Sequence, residues 1–204
     1  MVAVPPLHYL ALGDSYTIGE AVAAHDRWPA VLVERLRRAG VVIDDPRIVA
    51  VTGWTTDELA QGMDAAPLAP PYDLVTLQIG VNNQYRGRSA DDYRSQFSAL
   101  LARAITLAGH RAARVVVVSI PDWGVTRFAR EQGRDSTRTA TELDLYNAIA
   151  RDETARAGAC WVDITGISRQ HPELVADDGL HPSAAQYALW TETLLPMVRT
   201  ALAY

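Results

Sequence analysis

The chain reads as a three-layer α/β/α domain around a parallel sheet of about five strands. Three observations predict it. Apolar strand-like runs alternate with helical patterns over the whole sequence, the signature of β-α-β units with right-handed crossovers. Val115 to Val118 are four consecutive valines, a run suited to a strand buried on both faces. Finally, 204 residues with 49% hydrophobic content correspond to roughly one domain at about 150 residues each. A domain of this size buries about 70% of its unfolded surface, so its core requires no covalent staple.

The elements follow in order. Leu7 to Leu12 reads as a first strand ending at Gly13. Pro29 to Ala39 reads as a helix, with Val31, Leu32, Arg35 and Leu36 along one stripe beside an arginine face, and Gly40 stopping it. Val41 to Val51 contains a second strand, interrupted by Asp44, Asp45 and Pro46. Thr55 to Met63 reads as a short helix capped by Thr55 or Thr56, with Glu58 in its first turn. Pro67, Pro70 and Pro71 form a stiff connector to a third strand, Asp73 to Ile79, closed by Gly80. Asp91 to Ala108 is amphipathic, with Tyr93, Phe97, Leu100, Leu101 and Ala104 on one side. Arg114 to Ile120 is the fourth strand and Pro121 to Asp135 a loop. Thr139 to Ala157 is a long helix, Ala159 to Asp163 a short last strand, and Ser183 to Leu202 a final helix opened by Pro182 and Ser183. No linker, repeat or low-complexity segment divides the sequence, so 1–204 is expected to be a single domain.

Composition excludes several functions. Net charge is −5, which argues against a nucleic-acid partner, since such proteins show a basic face. All 19 basic residues are arginine, so a phosphate-gripping lysine, a Schiff base and a Ser–Lys dyad are ruled out. Cys160 is the single cysteine. An intrachain disulfide and a cysteine zinc cluster are therefore impossible, and its place beside Trp161 in a short strand predicts a buried small hydrophobe. No run of about 18 apolar residues is present, so no membrane span is expected. Met1 to Pro6 lacks the basic start of a secretory signal, and a cytoplasmic location is expected.

In open parallel sheets ligands bind beyond the carboxyl ends of the strands. Four polar clusters fall there or in a loop able to return there. They are Gly13-Asp14-Ser15-Tyr16, Thr52-Gly53-Trp54-Thr55, Gly80-Val81-Asn82-Asn83 and Asp177-Asp178-Gly179-Leu180-His181-Pro182. A serine hydroxyl needs a base to become a nucleophile. Histidine suits that role, and a carboxylate on its other ring nitrogen fixes the tautomer. Asp178 and His181 are three residues apart, so one turn can present both to Ser15. Acyl transfer also needs donors where the carbonyl oxygen becomes negative. The N–H groups of Ser15 and Gly53 and the Asn82 amide would supply three, and Gly53 has no Cβ to block a close approach.

The set Gly13-Asp14-Ser15, Gly53, Gly80-x-Asn82 and Asp178-x-x-His181 resembles the SGNH hydrolase superfamily, the GDSL esterase/lipase family, from residue 7 to about residue 200. The resemblance implies a flavodoxin-like fold and a serine esterase mechanism. It gives Ser15 as nucleophile, His181 as base and Asp178 as its partner, with Ser15, Gly53 and Asn82 as the oxyanion hole. It favours Asp178 over the neighbouring Asp177 as the acid. One position departs from it: Asn83 follows Asn82 where the family commonly has aspartate, and altered support of the first loop is expected. The nucleophile block also differs from the Gly-x-Ser-x-Gly elbow of α/β-hydrolases.

Esters of short-chain or small polar acids are the expected substrates, cleaved without cofactor or metal. An acyltransferase, a thioesterase or a carbohydrate deacetylase would use the same triad, and a non-catalytic flavodoxin-like binding module is a further alternative. Asp14, Trp54, Asn83 and Trp123 are candidates for substrate contact. Trp28, Trp54, Tyr85 and Trp123 either pack on the sheet edge or wall a pocket. Arg86, Arg88 and Arg127 follow strands three and four, where a minor part in binding substrate is open to them. His8, His25, His110 and His171 lack a partner pattern. The segment from Pro121 to Asp135 is the expected variable wall, with Gly124 and Gly133 as points of movement.

Overall fold

A computed structural model describes residues 5–203. The reading of Met1 to Pro6 as lacking a leader falls largely outside them. Five strands form one wholly parallel sheet: β1 (Tyr9–Gly13), β2 (Arg47–Ala50), β3 (Leu74–Gln78), β4 (Val115–Val118) and β5 (Cys160–Val162). Their order is β2-β1-β3-β4-β5, the 2-1-3-4-5 arrangement of flavodoxin-like folds. The chain winds one way from β1 to β2 and the other way from β3 onward, so the switch point lies between β1 and β3. Register makes this functional. Gly13 pairs with Ala50 on one side and Gln78 on the other. The loops carrying Ser15, Gly53 and Asn82 therefore leave one edge at one level.

Helices cover both faces. On one face α2 (Trp28–Arg38) packs against α9 (Ala184–Leu202), and on the other α3 (Thr56–Ala65) and α7 (Ser136–Arg156) flank α5 (Ala90–Leu107). Every residue of β1, β3 and β4 is buried, which explains the four valines of β4 and the mostly apolar β1 and β3; the buried polar side chains of β3 are bonded, Thr76 to Tyr9 and Gln78 to the Ser119 carbonyl. Thr55 and Glu58 form a capping box at the start of α3, each satisfying a backbone N–H of the first turn. Ser183 caps α9. No helix of the described residues is long and apolar enough to cross a membrane.

The structure differs from the sequence reading in its short elements. Leu7 makes only an isolated bridge, to Ile43, so β1 starts at Tyr9 and β2 is confined to the residues after Pro46. Four brief helices sit where none was expected: α1 (Ser15–Ile18), α4 (Val81–Tyr85), α6 (Arg127–Glu131) and α8 (Thr165–Gln170). Each is under two turns, too short for a 3.6-residue period to show. The segment read as a loop from Pro121 to Asp135 thus holds a 3₁₀ turn, Trp123–Val125, and α6, whose N-cap Thr126 accepts from the Ala129 N–H. The long helix α7 begins three residues before the expected Thr139, because Asp135 caps it through the Arg138 N–H. Cys160 is half-buried, since β5 is an edge strand.

Candidate active site

The first loop is set by a tight strand end. A Cβ on Gly13 would lie 2.1 Å from Thr17 Oγ1 and 2.6 Å from the Gln78 carbonyl oxygen, so only glycine lets α1 fold back so close to β3. Asp14 is buried, and its Oδ1 accepts from the Tyr16 N–H at 3.0 Å. Burial raises its carboxyl to about 7, outweighing that hydrogen bond. Ser15 opens α1 and is 5% exposed.

The second and third loops hold each other. Gly53 has φ +87°, a conformation that favours glycine. Its carbonyl accepts from Arg86 Nη2 at 2.6 Å. The next carbonyl, of Trp54, accepts from Asn82 Nδ2 at 2.9 Å. Asn83 is fully buried; its Oδ1 accepts from the Thr56 N–H at 3.1 Å and its Nδ2 donates to Thr56 Oγ1 at 2.7 Å. Neither bond reaches the first loop: Asn83 ties α4 to the start of α3. Arg86 and Arg88 are paired with Glu58 and Asp57 in the first turn of α3.

In the fourth loop the acid and the base are paired within one turn. Asp178 Oδ1 accepts from the N–H groups of Leu180 at 2.9 Å and His181 at 3.0 Å, while Oδ2 lies 2.6 Å from His181 Nδ1. Burial would raise the Asp178 carboxyl, but its bonds with the His181 ring and the two backbone N–H groups hold it below the usual carboxylate value. Asp177 is exposed, and its carbonyl accepts from Arg127 Nη2 at 2.7 Å. The Tyr16 ring meets the His181 ring edge-on, with centroids 5.8 Å apart.

Ser15, Asn82 and His181 line one cavity of about 220 Å³, with Tyr16, Val81, Tyr85, Trp123, Phe128 and Leu180. Of the four residues considered for substrate contact, Trp123 is in this wall. Trp54 is not, because its ring lies over Gly62, where a Cβ would be 2.1 Å from it. Asp14 and Asn83 are buried in hydrogen bonds beneath the loops, and Trp28 is fully buried. Sequence reasoning missed Tyr16, Val81 and Leu180, although each is adjacent to a motif residue. Phe128 comes from α6, inside the Pro121 to Asp135 segment expected as the variable wall.

The family model of the GDSL-like lipase/acylhydrolase family matches residues 11–189. The chain belongs to that family. A GDSL-like esterase of Mycobacterium tuberculosis (strain ATCC 25618 / H37Rv), Rv1075c, is 28% identical over 210 residues, covering 96% of this chain. This chain spans 63% of that relative's length. Among solved structures, TesA superposes with a TM-score of 0.75 at 16% identity, over 95% of this chain and 99% of that one. The psychrotrophic esterase EstA from Pseudoalteromonas sp. superposes with a TM-score of 0.74 at 14% identity, over 97% and 99%. At these identities the superpositions establish the shared fold.

Proposed function

We propose that this GDSL-family protein is a serine esterase that hydrolyses small carboxylic esters, with Ser15 as nucleophile, His181 as base and Asp178 as the group that orients it. The observation that carries the reading is the 2.6 Å contact of Asp178 Oδ2 with His181 Nδ1, in a residue pair whose histidine shares a cavity with Ser15. An ionised Asp178 holds the proton on Nδ1 and leaves Nε2 as the free base.

Nε2 takes the Ser15 proton as Oγ bonds to the ester carbonyl carbon, and the carbonyl electron pair moves to oxygen. The N–H groups of Ser15 and Gly53 and the second amide hydrogen of Asn82 receive that oxyanion. Two features support these roles. No hydrogen bond among the described residues uses the N–H of Ser15 or Gly53, and the bond to Trp54 occupies only one of the two Asn82 amide hydrogens. Collapse of the intermediate breaks the C–O bond, and the alcohol departs with the proton from His181. Water then gives a proton to His181 as it attacks the acyl-serine; collapse breaks the bond to Ser15 Oγ, which takes that proton back from His181 as the acid is released. A cavity of about 220 Å³ is smaller than a typical drug-sized ligand site, which favours short acyl groups.

Hydrolysis of 4-nitrophenyl esters from acetate to palmitate tests this. The short esters are expected to be cleaved, and Ser15→Ala to lower kcat by on the order of 10⁴ or more. Turnover that survives in Ser15→Ala overturns the reading.

A further inference from the structure

Beside the Ser15 cavity lies a larger one of about 560 Å³, and the rings of Tyr85 and Trp123 line both. The acyl-transfer steps make no use of it. The partition between the two is braced: Gln84 accepts from Trp123 Nε1 at 2.8 Å and donates to Glu142 at 2.7 Å.

Almost every charge facing this second cavity has a partner. Arg88 pairs with Asp57 at 2.6 Å and Arg138 with Glu142 at 2.8 Å. Asp135 caps α7. Arg134 differs. Among the described residues its guanidinium forms no ion pair or side-chain hydrogen bond, and it stacks over the rings of Tyr85 and Trp123, 5.0 and 5.8 Å from their centroids. These contacts give its N–H groups no oxygen acceptor, so they are free for a planar or tetrahedral anion. The cavity wall is mixed, more polar than apolar, but apolar side chains are also exposed on it. Tyr85 and Leu145, 46% and 51% exposed, are two of the four large hydrophobic side chains exposed among the described residues, and both line it. Two exposed apolar side chains beside one unpaired cation fit a ligand with an apolar body and an anionic end.

We propose that this cavity binds the non-reacting end of the ester, and that Arg134 pairs there with a carboxylate or phosphate carried by that end. The inference rests on the esterase reading and adds a substrate class to it: esters bearing negative charge remote from the scissile bond.

Matched esters test it. Phenyl butyrate, 4-carboxyphenyl butyrate and 4-phosphonooxyphenyl butyrate place the charge on the alcohol and separate carboxylate from phosphate. 4-Nitrophenyl pentanoate and the mono-4-nitrophenyl ester of glutaric acid place it on the acyl chain. The quantity read is the anionic-to-neutral ratio of kcat/KM in the wild type, divided by the same ratio in Arg134→Gln, so that intrinsic reactivities cancel. It is expected to reach about tenfold for one of the pairs, the worth of one charge-assisted contact. The effect should lie in KM, be partly kept by Arg134→Lys, and shrink in 1 M salt. A ratio near one for every pair, with neutral esters still cleaved through Ser15, overturns the anion site and leaves the esterase standing. If no ester is cleaved, the esterase reading fails instead. Calorimetric titration with 4-hydroxybenzoate and phenyl phosphate then decides the site: binding lost in Arg134→Gln upholds it, and no binding to the wild type sinks it.

Discussion

Asp178 and His181 fix each other within one turn, through three hydrogen bonds between residues at most three apart. Gly53 and the start of α3 are held by side chains 27 to 33 residues further along the chain: Arg86 on Gly53, Asn82 on Trp54 and Asn83 on Thr56. The Asp178–His181 pair is therefore a local structure, although α6 also holds its loop through Arg127 on Asp177 and the Phe128 N–H on Gly179. The end assigned to the oxyanion is a composite of two loops that exists only once β1 and β3 are paired. Damage to the local end should remove chemistry outright, whereas damage to the composite end should be graded by how many bonds each side chain supplies.

Asp178→Asn breaks the local end. Asparagine retains an acceptor for the two backbone N–H groups but no longer stabilises the imidazolium, and it permits the wrong tautomer. A loss of about 10⁴ in kcat is expected, against a change within about twofold for Asp177→Asn, whose exposed side chain is not bonded to His181. Equal losses in steady-state kinetics would mean that the acid is misassigned. At the composite end Asn82→Ala removes both an oxyanion donor and the clamp on Trp54, so a fall of 10² to 10³ in kcat is expected. Near-normal turnover would exclude Asn82 from the site.

Arg86→Ala sharpens the contrast, because Arg86 touches neither the Ser15 cavity nor, in the proposed chemistry, the reacting atoms. It holds the Gly53 carbonyl from outside, and as a positioning residue it is expected to cost about tenfold in kcat with KM and melting temperature little changed. Arg86→Lys, which keeps one donor, should recover part of the loss. A KM effect, or a drop in stability equal to the loss of activity, would assign Arg86 to binding or to the fold instead.

The same division explains what was legible in the sequence. The valine run of β4, the capping box of α3 and the Asp178-x-x-His181 turn are written in neighbouring residues, and each is found where the pattern puts it. The long-range bonds are not written there. That Asn83 meets Thr56 and not the first loop, that Arg86 grips Gly53, and that the Trp54 ring turns away onto Gly62 all depend on how α4 and α3 meet across the β1–β3 switch point. Asp14 shows a related limit. Its place in a Gly-Asp-Ser turn suits a solvent-facing polar residue, and only tertiary packing makes it a buried one. The walls Tyr16, Val81 and Leu180 were hidden for a simpler reason: an apolar neighbour of a polar motif residue reads as core until a cavity is seen beside it.

Asp14 gives the smallest expected effect on rate and a distinct one on stability. Its folded carboxyl titrates at about 7, against an ordinary value of 3.8. Between those pH values the folded protein keeps a proton that the unfolded chain has released. This contribution to stability is therefore full below pH 3.8, declines as pH rises, and is gone above pH 7. Asp178, held below 3.8, works the other way: its stabilisation is present above pH 3.8 and lost as pH falls through its lower folded value. From pH 5 to 8 the Asp14 contribution alone amounts to on the order of 3 kcal/mol, or roughly 5–10 °C in melting temperature for a chain of this size. Asp14→Asn keeps an oxygen to accept from the Tyr16 N–H and cannot ionise. It should therefore melt close to the wild type at pH 5 and clearly above it at pH 8. The comparison needs only thermal unfolding at those two values. If the variant loses as many degrees between them as the wild type, the slope belongs to other groups and Asp14 is already ionised in the folded protein. If its profile is flat while the wild type slopes, the residue preceding the candidate nucleophile carries a buried proton at mildly acidic pH.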